Sequence, residues 1–288
     1  MKRPTQTTRE IRSLVAAALE EDVGAGDITS EAIVPAETQG RASIVQKQPG
    51  VIFGLEVARE ALMESGAESF DPLVVESQWR EDVPAIVARA GGPGRALLAG
   101  ERVALNLLGR LSGVATHTAR YVRAVEGTGA RILDTRKTTP GLRSLEKAAV
   151  HAGGGHNHRF GLYDAILIKE NHIALAGGVA EAVRRARSGQ PGMEVEVECR
   201  NLDEVREAVE AEAETLLLDN MSTDELSEAV STARALAGPH RRVRLEASGG
   251  IDLDNVAAIT ATGVDEVSVG ALTHSAPALD VSMEIELA

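Results

Sequence analysis

Residues 194–220 read EVEVECRNLDEVREAVEAEAETLLLDN. An alternating apolar run at 194–198 leads into a helix pattern at 202–211 and then a continuous apolar run at 215–219. Strand, helix and strand at this spacing specify a parallel βαβ crossover, because antiparallel neighbours need only a short turn. The same rhythm extends in both directions. Strand patterns fall at RILD (131–134), AILIK (165–169), VRLEAS (243–248) and EVSVG (266–270), with helix patterns near 142–151, 178–187, 223–237 and 252–261. Six units are visible, where a closed barrel has eight. The expectation is an α/β fold with an incomplete (β/α) barrel, or one completed by earlier segments.

Before residue 113 the pattern changes. Ile11, Leu14, Val15, Ala18 and Leu19 repeat at helical spacing, with Gly24 just past the end. Between 40 and 98, RASIVQKQ, GVIFG, LVVESQW and AIVARAGG are short strand-like runs punctuated by Gly and Pro, with a helix at 55–65. This is an antiparallel α+β domain. AGERVALNLLGRLSGVATHTARYVRAV reads as a long helix broken near Gly109 to Gly113, and the tail ALDVSMEIEL alternates like a strand returning to the first domain. The expected division is a sandwich domain over 1–112 joined by 275–288, and a barrel over 113–274 that carries the site.

Composition narrows the function. Forty-three acids against 30 Lys and Arg give a net charge of -13, which disfavours a nucleic-acid or membrane surface as the main partner. No apolar run is long enough to span a bilayer. The opening MKR is followed by a short apolar stretch that runs into Glu20, Glu21 and Asp22, unlike a secretory leader. One cysteine, Cys199, excludes an intrachain disulfide and fits a reducing cytoplasm.

Against this acidic background, cations concentrate where the strand patterns end. Asp134, Lys169, Glu198, Asp219, Ser248 and Gly270 close the six runs, and strand C-termini form the active-site face of such barrels. Arg136, Lys137, Arg159 and Lys169, with His158 beside them, are expected to gather there as a clamp for carboxylate or phosphate. GGGHNHR is read as a flexible glycine loop presenting His158 and Arg159. Its His-x-His spacing follows glycines rather than a strand and has no matching third ligand, which argues against zinc. Glu198 and Asp219 end adjacent strands and are candidate Mg²⁺ ligands. EASGGID and VGALTH, after the last two strands, suit a phosphate, since small residues let backbone N–H groups approach an anion.

The blocks DTRKTTPGLRSLEKAAVHAGGGHNHRFGLYDAILIKENHI, ERVALNLLGRLSG, LLLDNM, EASGGI and VGALTHSAPALD resemble those of the quinolinate phosphoribosyltransferases. The resemblance implies an N-terminal open-faced sandwich, an incomplete barrel and a dimer. It implies transfer of phosphoribosyl from 5-phosphoribosyl 1-diphosphate to quinolinate with Mg²⁺, giving nicotinate mononucleotide, pyrophosphate and CO₂ on the route to NAD. It further implies that Thr135, Arg136, Lys137, His158, Arg159 and Lys169 bind the anionic groups. Glu198 and Asp219 would face ribose hydroxyls and metal; Ser248, Gly249, Gly250, Gly270 and Ala271 would hold the 5-phosphate. Arg102 would be lent to a neighbouring subunit's quinolinate. ECRN is the loosest match, placing Cys199 and Arg200 where they would shift metal geometry. Two rivals stand beside this reading. Lys169 at a strand end is where a barrel aldolase forms a Schiff base, and a related fold can bind phosphosugars without this chemistry.

Overall fold

The computed structural model describes residues 8–288; Lys2 and Arg3 of the opening MKR lie outside them. Two compact units divide the chain, one of 1–119, 138–154 and 275–288, the other of 120–137 and 155–274. The cut between them falls inside the helix Gly94–Ala124.

In the first unit, an antiparallel sheet runs in the order Val281–Leu287, Gln39–Gln46, Ala85–Pro93, Ser69–Pro72. The tail therefore pairs with Gln39–Gln46, from Gly40 opposite Leu287 to Gln46 opposite Val281. Ala42, Ile44, Val87, Ala88 and Ala90 are buried, as are Val57, Ala58, Ala61 and Leu62 of the helix Leu55–Glu64. LVVESQW does not form the strand expected of it. The strand Ser69–Pro72 precedes it, and the chain turns through Ser77 at φ 68. The helix Gly94–Ala124 is unbroken. Its glycines serve close approach instead: a Cβ on Gly113 would lie 2.1 Å from Pro277 O, and one on Gly109 would lie 3.0 Å from Leu279 O.

In the second unit, six parallel strands run in the order Arg131–Leu133, Glu266–Ser268, Arg244–Ser248, Thr215–Asp219, Val195–Cys199, Ile166–Ile168. The helices Val179–Gly189, Leu202–Glu210, Thr223–Ala237 and Val256–Ala261 alternate with them. Ser222 and Glu225 form a capping box that starts the third of these helices. A two-residue period divides each strand. Ile132, Val195, Val197, Leu216, Leu218, Leu245, Ala247 and Val267 are buried, each worth roughly 1.5–3 kcal/mol of transfer free energy for the larger aliphatics. The alternate positions carry Arg131, Glu196, Glu198, Thr215, Asp219, Arg244, Glu246, Ser248, Glu266 and Ser268. The ladders keep these on one face, pairing Glu198 with Leu217, Leu217 with Glu246, and Glu246 with Glu266. Strands of parallel sheets are usually apolar on both faces; here one face is a polar interior. Among the described residues, no helix is long and apolar enough to cross a membrane.

Candidate active site

The GGGHNHR run is not a flexible loop. His156 pairs with the first parallel strand: its N–H donates to Ile132 O at 2.8 Å, and Asp134 N–H donates to His156 O at 3.1 Å. Asp134 is fully buried and accepts from Asn157 Nδ2 at 2.6 Å and from His158 N–H at 2.9 Å. It is thus the strand-end acid that fixes the loop, rather than one that faces a ligand.

This pinning delivers His158 and Arg159 to the polar interior. His158 Nε2 lies 3.0 Å from Glu196 Oε2 and 3.7 Å from Glu246 Oε2, and its Nδ1 accepts the Arg159 N–H at 2.7 Å. Because Nδ1 accepts, the ring proton sits on Nε2 and faces the acids. Arg159, read from sequence as accessible, is only 7% exposed and donates to Ala165 O at 3.2 Å. Burial and the neighbouring Arg136 lower its proton affinity, while Glu196 and Asp164 counter them. Glu246 is 1% exposed and shares a short hydrogen bond with Ser268. Its carboxyl is pushed up to about 8 by burial and then by Glu196, against the opposing pull of His158.

Sequence reasoning missed Glu196 and Glu246. The signal was available: each lies two residues before a predicted strand-end residue, Glu198 or Ser248, and so shares its face. His158, Glu196 and Glu246 place one ligand atom each within 4.8 Å of one another, a donor set suited to a divalent metal. Arg159 already supplies compensating charge to Glu196, so the cluster reads as an ion-paired support.

The remaining candidates form smaller groups. Lys169 Nζ donates to Glu198 Oε2 at 2.6 Å, with the lysine side chain 48% exposed and the glutamate 13%. Asp219 Oδ2 accepts from Asn220 Nδ2 at 2.7 Å. Asn220, at φ 55, also donates its N–H to Ser248 O at 2.8 Å, tying two strand ends together. Gly249, at φ 95, leaves no room for a side chain, since a Cβ would lie 2.2 Å from Asn220 Oδ1. Gly250 follows at φ 60.

Lys137 is exposed and stands by the last loop. Its N–H donates to Thr135 Oγ1 at 3.0 Å, and its carbonyl accepts from Thr273 Oγ1 at 2.8 Å. A Cβ on Gly270 would lie 3.2 Å from Lys137 Cδ, so the Gly270–Ala271 turn runs beside the lysine stem. Arg102 belongs to the first unit; its side chain is 63% exposed and 3.9 Å from Glu101. Cys199 is buried on the helix-facing side of its strand, in register with Leu218, and burial pushes its thiol up. The expectation that it alters a metal site fails, because alternation turns it away from Glu198. Arg200 instead pairs with Glu170 and Glu204.

Two family models match the chain: the quinolinate phosphoribosyl transferase N-terminal domain over 27–112 and the C-terminal domain over 114–284. The chain is 43% identical to the probable nicotinate-nucleotide pyrophosphorylase [carboxylating] of Bacillus subtilis (strain 168), over 93% of this chain and 90% of that protein. It is 43% identical to the nicotinate-nucleotide pyrophosphorylase [carboxylating] of Mycobacterium leprae (strain TN), over 95% of this chain and 96% of that one. The solved nicotinate-nucleotide pyrophosphorylase from Francisella tularensis superposes with a TM-score of 0.92 at 38% identity, covering 99% of this chain and 100% of that chain.

Proposed function

The chain belongs to the quinolinate phosphoribosyl transferase family, and on that premise we propose that it transfers phosphoribosyl from 5-phosphoribosyl 1-diphosphate to quinolinate with loss of CO₂. The products are nicotinate mononucleotide and pyrophosphate, for NAD synthesis in the cytoplasm. One observation supports the assignment: a chain of net charge -13 carries Arg136 and Lys137 just after one parallel strand and Lys169 just after another, with His158 3.0 Å from Glu196 of a third and Arg159 next to it in sequence. Both substrates are polyanions, and fixed cations bind such groups through charge-assisted hydrogen bonds.

Arg136, His158 and Arg159 hold the quinolinate carboxylates, and Lys137 and Lys169 hold the diphosphate. Backbone N–H groups of the Ser248–Gly249–Gly250 and Gly270–Ala271 turns take the 5-phosphate. As the bond from ribose to diphosphate breaks, positive charge grows on the sugar, and Glu198 and Asp219 stabilise it. The pyridine nitrogen attacks the ribose carbon and becomes cationic. That ring then accepts the electron pair left when the adjacent carboxylate departs as CO₂, and a proton replaces it.

Mg²⁺ fits the donor set. Glu198 and Asp219 each commit one oxygen to a neighbour and keep the other for a cation. Bound there with the diphosphate, the ion would supply charge neutralisation to the leaving group. The Schiff-base rival loses ground because Lys169 Nζ is already committed to Glu198 Oε2 at 2.6 Å.

The test is pyrophosphate release from phosphoribosyl diphosphate with Mg²⁺. Release is expected with quinolinate and not with nicotinate; equal rates would refute a two-carboxylate clamp. We take the protein to act as a homodimer in which the exposed Arg102 serves the partner's site. Arg102→Ala and Lys137→Ala, each inactive alone, should then recover about a quarter of wild-type activity when their subunits are exchanged at random. No recovery after exchange proven by mass spectrometry would assign Arg102 to its own subunit.

A further inference from the structure

Asn220 has a backbone that would suit glycine. It sits at φ 55, immediately after the strand Thr215–Asp219. Asparagine enters this left-handed region more readily than most side chains, and glycine enters it at no steric cost. Asn220 is also exposed, so packing does not demand a side chain there. The reason for its amide lies in what the amide meets.

Both ends of that amide meet residues read above as ligands of the phosphoribosyl group. Nδ2 donates to Asp219 Oδ2 at 2.7 Å. Oδ1 lies against Gly249, where a Cβ would come within 2.2 Å of it and within 2.5 Å of Asn220 Cγ. The backbone makes the same connection. Asn220 N–H donates to Ser248 O at 2.8 Å, and Ser248 stands opposite Asp219 in the parallel ladder. The far side of the Gly249–Gly250 turn has its own anchor in Asn255, which donates Nδ2 to Gly250 O at 2.9 Å and accepts the Asp252 N–H at 3.0 Å. The turn is thus shaped by Asn255 and by the bond at Ser248. The Asn220 amide adds a link from the turn to the Asp219 carboxylate.

We propose that Asn220 is a positioning residue for the reaction: its amide fixes Asp219, which faces the ribose, against the turn that holds the 5-phosphate. The proposal rests on the reading of Asp219 and the Ser248–Gly249–Gly250 turn as ligands of one phosphoribosyl group. A sugar ring keeps its hydroxyls at a nearly fixed distance from its phosphate, so the groups that bind the two ends must be held at a matching separation. A residue serving only to turn the chain would make no use of the amide.

The test is a double-mutant cycle in the full-length protein. Affinity for ribose 5-phosphate, which carries the phosphate and sugar hydroxyls without the diphosphate, is read by calorimetry beside steady-state kinetics and thermal melts. Asn220→Gly keeps the positive φ and the N–H to Ser248 O, and loses only the amide. It should melt within about 2 °C of wild type. It should weaken ribose 5-phosphate about fivefold, the equilibrium worth of one hydrogen bond, with a matching fall in kcat/KM. In an Asp219→Ala background the same change should cost less than about twofold, because the carboxylate it positions is gone. Asn220→Asp keeps the shape of the side chain but sets a second carboxylate against Asp219. Its deficit relative to wild type should narrow as pH falls from about 8 to about 5 and the pair takes up a proton. Unchanged ribose 5-phosphate affinity in Asn220→Gly, whatever its melting temperature, would overturn the proposal. So would equal losses in the two Asp219 backgrounds, or an Asn220→Asp deficit that ignores pH. A wild type that binds ribose 5-phosphate but releases no pyrophosphate with quinolinate would overturn the assigned reaction alone, leaving the binding cycle to decide on Asn220. A wild type that binds no ribose 5-phosphate would overturn both.

Discussion

The antiparallel sheet of the first unit and the parallel sheet of the second both set charged residues at every other position, with different outcomes. In the antiparallel sheet, Arg41, Arg89, Glu284 and Glu286 are exposed while Ala42, Ile44, Ala88 and Ala90 are buried. In the parallel sheet, Glu196, Glu246 and Glu266 are 8%, 1% and 7% exposed, although apolar residues fill the opposite face. An exposed charge is solvated, and its pairing contributes at most about 1 kcal/mol. An enclosed charge stays only while its partners stay, and losing one costs roughly 3–5 kcal/mol. The enclosed face therefore ties function to stability, and the open face does not.

Arg159→Ala should show the largest effect. It removes a ligand clamp together with a buried cation whose charge offsets Glu196, so stability should fall by about 3 kcal/mol or more and kcat/KM by about 10²-fold or more. A chemical melt together with steady-state kinetics checks both, and a variant with wild-type stability would break the comparison. Lys137→Ala should separate the two quantities. The side chain is exposed, so a comparable loss of activity is expected with a melting temperature within about 2 °C of wild type.

Glu246→Gln sharpens the comparison through pH. The Glu246 carboxyl is raised from 4.5 to about 8 in the folded protein, so the native state holds a proton that the unfolded state releases. Its contribution is full below pH 4.5 and is lost as pH rises through about 8. Wild-type stability should decline across that window by at most about 1.4 kcal/mol per pH unit for one proton. The glutamine variant should decline less, and melts at pH 5 and pH 8.5 measure the difference. Parallel curves would mean that Glu246 is ionised in the folded state. Glu286→Gln, on the open sheet, should change stability by no more than about 0.5 kcal/mol; a larger shift would put that face under cover.

The sequence makes the strands of the parallel sheet legible because their period and spacing are regular. TLLLD, expected at 215–219, forms the strand Thr215–Asp219. The helix expected at 223–237 is Thr223–Ala237, where Ser222 and Glu225 give a local start signal. What stays hidden depends on enclosure. EVEVE has the same alternation whether its glutamates meet water or His158. The run after the triple glycine looks mobile until a buried Asp134 is known to hold it. The glycines of the long helix read as a break because their reason, the close passage of 277–279, lies more than 150 residues downstream.

The pairing of Val281–Leu287 with Gln39–Gln46 has a consequence for synthesis on the ribosome. Gln39–Gln46 emerges more than 200 residues ahead of its edge partner. At translation speeds of about 5–20 residues per second, that interval is on the order of ten seconds or more. All six parallel strands leave the ribosome within it, so the second unit has its full set of strands while the first still lacks one. Until the tail arrives, one side of Gln39–Gln46 offers unpaired N–H and C=O groups, an edge that any extended peptide can extend. A nascent chain halted in that interval is the form of this protein most in need of a chaperone.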